Sequence, residues 1–544
     1  LFFKFFCTIF LITLCLYAFS ENEPIKSFEI GKNNEILING KSFFPIMIFN
    51  QDETKIKDAV SIGINTFFGN GSKLSDREYI EKLKENGAYG ILKFSSQLIS
   101  HPNLFGWYIE DEPDKRIPVY EVSVEPGKGL RVNPKTPFSR ILDGNVFSWT
   151  VLDPLQNAEV IINLTKEVEI YGVGIAITVA STLSSPKVVS FIADDDTEIL
   201  RATLQEKRGI VQKFQLPQPV KLSTLICKVV DIYKHEETYG SIGEIEAYDK
   251  NGNNILRNPP VLQKVSVEEW TKRYNEIKQK DRTKPVILKL TSNFMEGLPI
   301  MGWNEETKKK IYPEYIKNSD IVGFGVYPVY ELNNYDFLTY VPKGTETLCK
   351  LTENKPVFVW IETTKGNRNI EPQTQKEVLP YHTRAEVWMA IIKGAKGIGY
   401  YTHSSWIPNI KEVPGISQLL CTWSVGNNPF ALSEEMKIEL KKLNEQIKRL
   451  SSAILSPPYQ GNIEMKNEHG LNCHFKATLY NDRIFIFAQN LELIKGGKFE
   501  IKIEGIKDGE VEVIDENRTI KIKDGKFIDH FPPLKEHIYS IKIN

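Results

Sequence analysis

The segment Leu104-Phe-Gly-Trp-Tyr-Ile-Glu-Asp-Glu-Pro113 runs from an apolar strand into a knot of acids: Glu110, Asp111, Glu112 and, just beyond, Asp114. Far along the chain, Pro356-Val-Phe-Val-Trp-Ile-Glu362 ends a second apolar strand on a single carboxylate. An acid at the tip of such a strand has little packing to do. Two of them facing across a pocket can divide a reaction: one is held protonated to donate to a leaving group, the other stays ionised, and environment separates their pKa values. For cleavage of a glycosidic bond, a gap of about 5 Å goes with retention through a covalent intermediate, and about 6.5–9.5 Å with inversion. The plain alternative for each is a solvated loop carboxylate, with Glu110 and Asp111 as rivals of Glu112 from the same turn. Strand alternation aims Glu110 and Glu112 to one side and Asp111 to the other, unless the turn at Pro113 breaks the pattern. Crowding of acids is expected to raise the pKa of a donor there.

Other side chains fall where a substrate would be held. Tyr327 closes Ile321-Val-Gly-Phe-Gly-Val-Tyr327, and Trp406 follows Tyr401-Thr-His-Ser-Ser, where an indole offers a platform for the apolar face of a sugar. His403 and Trp360 are weaker candidates, and Asn50 and Asn293 follow apolar strands where their amides supply hydrogen bonds. For all of these the alternative is ordinary packing. There is no P-loop, no dinucleotide glycine pattern, no His-Glu-x-x-His and no calcium-loop motif, so neither cofactor nor metal is expected.

The elements that must position these residues alternate. After a small hairpin with an Asn39-Gly40 turn, apolar runs at 43–49, 65–68, 89–94 and 104–112 read as strands, with helices at 52–62 and 76–86. From about 115 to 260 helical periodicity fades and strand-like stretches dominate, including Glu159-Val-Ile-Ile-Asn-Leu164 and Val168-Glu-Ile-Tyr-Gly-Val-Gly-Ile175. A helix at 267–280 restores the rhythm, followed by strands at 285–290, 321–327, 356–362 and 397–401, with helices at 383–393 and 434–449. Four strands before the interruption and four after make the eight of a closed (β/α)8 barrel, whose active site lies at the C-terminal strand ends. The stretch from about 456 alternates again and suits a small antiparallel sandwich. The expected organisation is a signal peptide at 1–20, a barrel at 21–114 and 261–452, an inserted β-sandwich at 115–260 and a C-terminal β-sandwich at 453–544.

Four pieces together carry a resemblance: Asn39-Gly-Lys-Ser-Phe-Phe-Pro-Ile-Met47, His101-Pro-Asn-Leu-Phe-Gly-Trp-Tyr-Ile-Glu-Asp-Glu-Pro113, Asp320-Ile-Val-Gly-Phe-Gly-Val-Tyr-Pro328 and the run from Arg384 to Tyr400. They resemble the superfamily of retaining glycoside hydrolases on a TIM barrel often called clan A, over about half the chain. The resemblance implies that Glu112 is the acid/base, that Glu362 is the nucleophile, and that Tyr327 is the tyrosine that hydrogen-bonds the nucleophile. The superfamily usually has Asn, touching the sugar 2-hydroxyl, where this chain has Asp111. Within the insertion, Ile141-Leu-Asp-Gly-Asn-Val-Phe-Ser-Trp-Thr150, Ala158-Glu-Val-Ile-Ile-Asn-Leu164 and Gly243-Glu-Ile-Glu-Ala-Tyr-Asp-Lys-Asn-Gly252 resemble a discoidin-type jelly roll, which implies glycan binding or a structural, cleft-shaping role. The expectation is a secreted retaining glycosidase acting on a polysaccharide or oligosaccharide. Its rivals are a noncatalytic carbohydrate-binding protein on a decayed barrel and an inverting hydrolase using Asp111.

Composition agrees. The 544 residues carry 68 basic and 69 acidic side chains, a formal charge of -1 that gives no field to gather nucleic acid or an anionic membrane. One lysine, an apolar run, and small residues at Ala18 and Ser20 mark the first twenty residues as a secretory signal cleaved after Ser20, with a secreted, periplasmic or cell-surface location and no stable membrane insertion after cleavage. Beyond it, Cys227, Cys349, Cys421 and Cys473 are far apart and form neither zinc spacing nor a dense disulfide framework.

Overall fold

The computed structural model describes residues 22–180, 182–234, 237–298, 302–411, 420–467 and 469–543, with side chains described outside 408–422. The expected signal segment lies outside these residues. The chain divides into two compact units, one formed by the chain up to Lys115 together with everything from Lys264 on, the other by Arg116–Gln263.

The first unit is built on eight parallel strands: β1 (Ile46–Phe49), β2 (Thr66–Phe68), β3 (Tyr89–Lys93), β4 (Leu104–Asp111), β5 (Val286–Leu290), β6 (Ile321–Gly325), β7 (Val357–Glu362) and β8 (Gly397–Tyr401). They pair in sequence order, and β8 pairs with β1 to close the barrel. Every residue of β2, β5, β6 and β7 is buried, which is why these strands read as continuous apolar runs rather than alternating ones. Met47, Phe68, Ile91, Phe105, Ile287, Ile321, Phe358 and Trp360 fill the interior.

The helices between strands are α1 (Ile56–Ser61), α2 (Asp76–Glu85), α3 (Val267–Lys280), α4 (Glu305–Lys317), α5 (Tyr340–Thr352) and α6 (Pro380–Ile392), with α7 (Glu434–Leu455) after β8. Their starts follow from local chemistry: Ser75 and Glu78 form a reciprocal capping box on α2, and Ser266, Asn304 and Ser433 cap α3, α4 and α7. The alternation is uneven, because β3 and β4 are joined only by a 3-10 turn, Ser96–Leu98. Before the barrel, Phe28–Ile30, Ile36–Ile38 and Lys41–Phe43 form a three-stranded sheet. The Asn39-Gly40 turn, with both residues at positive φ, joins the second and third of these strands rather than the first and second.

Helix α7 runs through 452 to Leu455, and beyond it a three-stranded and a five-stranded antiparallel sheet enclose a core of Ile486, Phe499, Ile501, Val511, Phe527 and Tyr539. In the unit Arg116–Gln263 the two stretches expected as separate strands, 159–164 and 168–175, are one strand, Glu159–Ile177. It pairs with the still longer Val211–Tyr233 through two shifts of register, at Asn163/Val168 and Ile170/Gly172. One antiparallel sheet results, around a core that includes Val160, Ile162, Ile175, Phe191, Leu225 and Ile245. Among the described residues no helix is long and apolar enough to cross a membrane.

Candidate functional site

Parallel strands place their C-terminal ends at one end of the barrel, so Glu112, just after β4, and Glu362, the last residue of β7, share that end. What surrounds each carboxylate differs sharply.

Glu112 is aimed by an irregularity. Ile287 on β5 pairs with Tyr108 on β4, and Lys289, two residues on, pairs with Asp111, three residues on, so β4 carries an extra residue there. Glu112 then turns at φ 52, donating its own N–H to the Lys289 carbonyl at 3.0 Å. Strand alternation is thereby broken, and Asp111 and Glu112 meet the same partner. The Lys289 ammonium lies 2.8 Å from Asp111 Oδ1 and 3.0 Å from Glu112 Oε1. Glu110 is separate, bonded to Lys264 at 2.8 Å and Lys93 at 3.3 Å.

The expectation that neighbouring acids raise the pKa of Glu112 is corrected here. Burial is the largest single influence and disfavours its charge, but the Lys289 ammonium, joined by the charges of Lys115 and Lys264, outweighs burial and holds the carboxyl below its ordinary range. Lys289 has a side chain only 4% exposed, and it stays charged because Asp111 and Glu112 more than offset its own burial. It stands 5.3 Å from the ring centre of Phe49 and 5.9 Å from that of Trp360, within cation–π range of both. Beneath the turn, buried Asp114 accepts from Thr291 N at 2.8 Å, Thr291 Oγ1 at 2.6 Å and the Tyr312 hydroxyl at 3.0 Å. It pins the acidic turn to the end of β5, and burial pushes its pKa up to about 6.

Glu362 has no exposed surface. Its carboxylate accepts the backbone N–H groups of Val329, at 2.9 and 3.1 Å, and Tyr330, at 2.6 Å, and the side chain of Glu386 on α6 is near enough to share a proton with it. Thr383 Oγ1, from the same helix, donates to the Glu362 carbonyl at 2.9 Å. Burial pushes Glu362 up to about 7 despite these donors, and the charge of Glu331 adds to the rise. Glu386 is also fully buried, with neither oxygen met by another donor among the described residues; burial first, then the charge of Glu362, drives its proton affinity well above the carboxylate range.

The remaining candidates separate into those at this end of the barrel and those elsewhere. Tyr327 lies beyond the end of β6, buried, its ring 5.1 Å from that of Tyr401. It does not hydrogen-bond Glu362, whose donors come from Val329, Tyr330 and Glu386; instead the charges of Lys289, Glu112 and Asp111 act on its hydroxyl. Trp360 is fully buried, edge-on to Phe49 at 5.6 Å and to Phe68 at 5.7 Å, so it is a floor of the barrel rather than a substrate contact.

His403 bonds the Phe49 carbonyl at 3.0 Å and stacks on Tyr401 at 5.4 Å; burial lowers its pKa and keeps the ring neutral. Trp406 lies in the strand Ser404–Lys411, which pairs antiparallel with Leu420–Asn428, and its indole N–H is spent on the carbonyls of Asn367 at 2.9 Å and Ile370 at 3.2 Å. Asn50 sits at positive φ directly after β1, its N–H bonded to the Phe68 carbonyl at 2.7 Å. Asn293 is buried in a 3-10 turn after β5, under Gly302, and is not joined to the Lys289 cluster.

Lys289, Glu386, Tyr330 and Tyr401 were not among the expected site residues. Two of them carried a signal: Lys289 is a charge within the apolar run Val286-Ile-Leu-Lys-Leu290, and Glu386 an acid within Ala385-Glu-Val-Trp-Met-Ala-Ile-Ile392.

No protein-family model matches the chain, and no curated protein matches it. Among solved structures it is similar to the family 32 carbohydrate-binding module of C. perfringens NanJ in complex with galactose, at 14% identity over 24% of this chain and 96% of that one, with a TM-score of 0.20. It is similar also to CBM32-1 from a family 31 glycoside hydrolase of Clostridium perfringens, at 15% identity over 25% and 100%, with a TM-score of 0.21. A third is an Anoxybacillus alpha-amylase, at 13% identity over 52% and 57%, with a TM-score of 0.31. Likenesses this slight transfer neither fold nor function, and the closed parallel barrel and the antiparallel sheets rest on their own strand pairings.

Proposed function

We propose that the chain is a glycoside hydrolase that retains configuration, with Glu362 as nucleophile and Glu112 as acid/base, acting on a polysaccharide or oligosaccharide. The observation that carries this reading is the pair of carboxylates at one end of a closed parallel barrel, held in opposite surroundings: Glu112 against a lysine, Glu362 in a dry pocket of hydrogen-bond donors. Attack by Glu362 on an anomeric carbon forms the glycosyl ester while Glu112 gives its proton to the leaving oxygen; Glu112 then takes a proton from the water that releases the sugar. A sugar seated over the half-exposed Glu112 removes its remaining water and raises its proton affinity toward the range a donor needs. The rings of Phe49, Tyr401, Tyr327 and Tyr330 around this end suit the apolar faces of sugars. The opening twenty residues support a secreted, periplasmic or cell-surface setting.

The test is turnover of a panel of aryl glycosides and natural glycans by the purified protein and by E112Q and E362Q. Each variant is expected to lose about 10²–10⁴-fold in kcat. Azide is expected to rescue a Glu112→Ala variant with the starting anomer kept, read by proton NMR. Turnover surviving both substitutions defeats the assignment. The complete burial of Glu362 favours one second reading, a carbohydrate-binding barrel without catalysis. It requires glycan binding by the wild-type chain, no turnover of any substrate, and unchanged affinity in E362Q.

A further inference from the structure

Resting on the reading of Glu362 as nucleophile, we propose that Glu386 is a positioning residue that holds the single proton shared with Glu362 and donates it as a hydrogen bond, so that Glu362 is the ionised partner. Both side chains are fully buried, Thr383, one turn before Glu386 on α6, donates to the Glu362 carbonyl and so sets this stretch of the helix against the end of β7, and no cation among the described residues bonds either carboxylate. Two carboxylates in such a place cannot both ionise, because the like charges and the loss of water act together, so one proton stays with the pair. Its position follows from the donors. Glu362 already accepts two backbone N–H groups, from Val329 and Tyr330, which stabilise negative charge on it. Among the described residues neither oxygen of Glu386 meets a donor other than the Glu362 backbone N–H, so negative charge is held less well there than on Glu362. The proton therefore sits on Glu386 and points at Glu362. The groups facing the pair are Glu331, which adds negative charge near Glu362, and the Tyr335 hydroxyl, whose own proton affinity Glu362 raises.

The arrangement gives the nucleophile three hydrogen bonds, from two backbone amides and one carboxylic acid, and fixes its orientation from the far side of β7. It also makes the working state pH-dependent: as pH falls through about 7, Glu362 takes up a second proton and the nucleophile is lost.

Two measurements test this, one without turnover. Infrared difference spectra of the whole protein at pH 8, in which carboxyls common to all variants such as Glu244, raised to about 8 by burial, cancel, are expected to show the C=O stretch of a buried protonated carboxyl at Glu386 in wild type and in E362Q, and to lose that band in E386Q. Absence of the band in wild type, or its survival in E386Q, overturns the proposal whether or not any glycoside is cleaved. On a glycoside that wild type cleaves, E386Q keeps a donor in place and is expected to leave the acid limb of kcat/KM near its wild-type position. E386M removes the donor and is expected to move that limb up by about one pH unit or more. Equal displacement in both variants, or none in either, also overturns it. If no glycoside is cleaved but the band behaves as described, the hydrolase reading fails while the shared proton stands.

Discussion

At the level of single residues, Lys289 decides how the acidic turn behaves. Among the described residues it is the one cation bonded to both Asp111 and Glu112, and without it two carboxylates would compete for protons beside aromatic rings. The folded-state pKa of Glu112 lies below its ordinary 4.5, so the ion pair stabilises the fold above that value and the contribution is lost as pH falls through the lowered one. The same pairing sets the pH at which Glu112 can give a proton. In K289M the largest attraction that lowers Glu112 is gone, leaving only the weaker charges of Lys115 and Lys264 against an unchanged burial, so the alkaline limb of kcat/KM, taken as loss of the proton on the acid/base, is expected to move up by about one pH unit. A pH-rate profile on an aryl glycoside reads this directly. An alkaline limb that stays put would separate Lys289 from the acid/base and return it to a purely structural part.

The strands, helices and turns differ in how openly the sequence states them. Barrel strands are buried on both faces, so their apolar runs are continuous and their ends sharp, and Val357–Glu362 or Gly397–Tyr401 can be read directly. Helix α4 hides because its apolar residues, Ile311, Tyr312, Tyr315 and Ile316, crowd its second half around Pro313 while the first half is charged. Helix α5 hides behind Pro342 in its first turn, a position a helix tolerates because that N–H has no partner in any case. In the Arg116–Gln263 unit, polar Thr165, Lys166 and Glu167 look like a loop, yet the chain passes through them as one bulged strand. The site shows the same division. Glu112 and Glu362 are visible as acids at strand tips, whereas the meeting of Lys289 with both Asp111 and Glu112 depends on an extra residue in β4, which no local pattern encodes. The partner of Glu386 is likewise set by how α6 lies on β7.

Helix α6 also carries one of the contacts that tie the barrel to the C-terminal sheets. Arg384 bonds Glu536 at 2.8 Å, Glu439 on α7 at 2.9 Å and Gln446 at 2.6 Å. Glu536 is only 5% exposed, so R384M leaves it buried with Lys535, at 3.5 Å, as its one cationic partner among the described residues, and is expected to cost about 3–5 kcal/mol in chemical denaturation. Adding E536Q removes the stranded charge and is expected to recover part of that loss. A single-variant cost below about 1 kcal/mol would place the pair in the surface class.

At the level of the whole molecule, the chain leaves the barrel at Lys115 and re-enters at Lys264, and these two residues are joined by a backbone hydrogen bond of 2.9 Å. The departing and returning strands, Arg116–Pro118 and Val261–Gln263, pair with each other, so each unit has its termini side by side. A segment whose ends already touch can be removed, or expressed alone, without pulling either core open. The two cores share no residue: one centres on Trp107, Leu288, Val359 and Tyr400, the other on Val173, Phe191, Leu225 and Ile245. Calorimetry of the full chain is therefore expected to contain a transition that belongs to Arg116–Gln263 and reappears when that piece is made alone. A chain in which a short glycine-containing turn joins Lys115 to Lys264 is expected to keep the remaining transition, because Asp114, Thr291 and Tyr312, all retained in it, bond one another and hold the acidic turn. Cleavage of small aryl glycosides by that shortened chain is expected to match the full chain within a few-fold, about the variation that surface changes away from a site produce. A shortened chain that folds with its melting transition intact yet cleaves nothing the full chain cleaves would mean that Arg116–Gln263 takes part in the chemistry, and the two-carboxylate account of the barrel would then be incomplete.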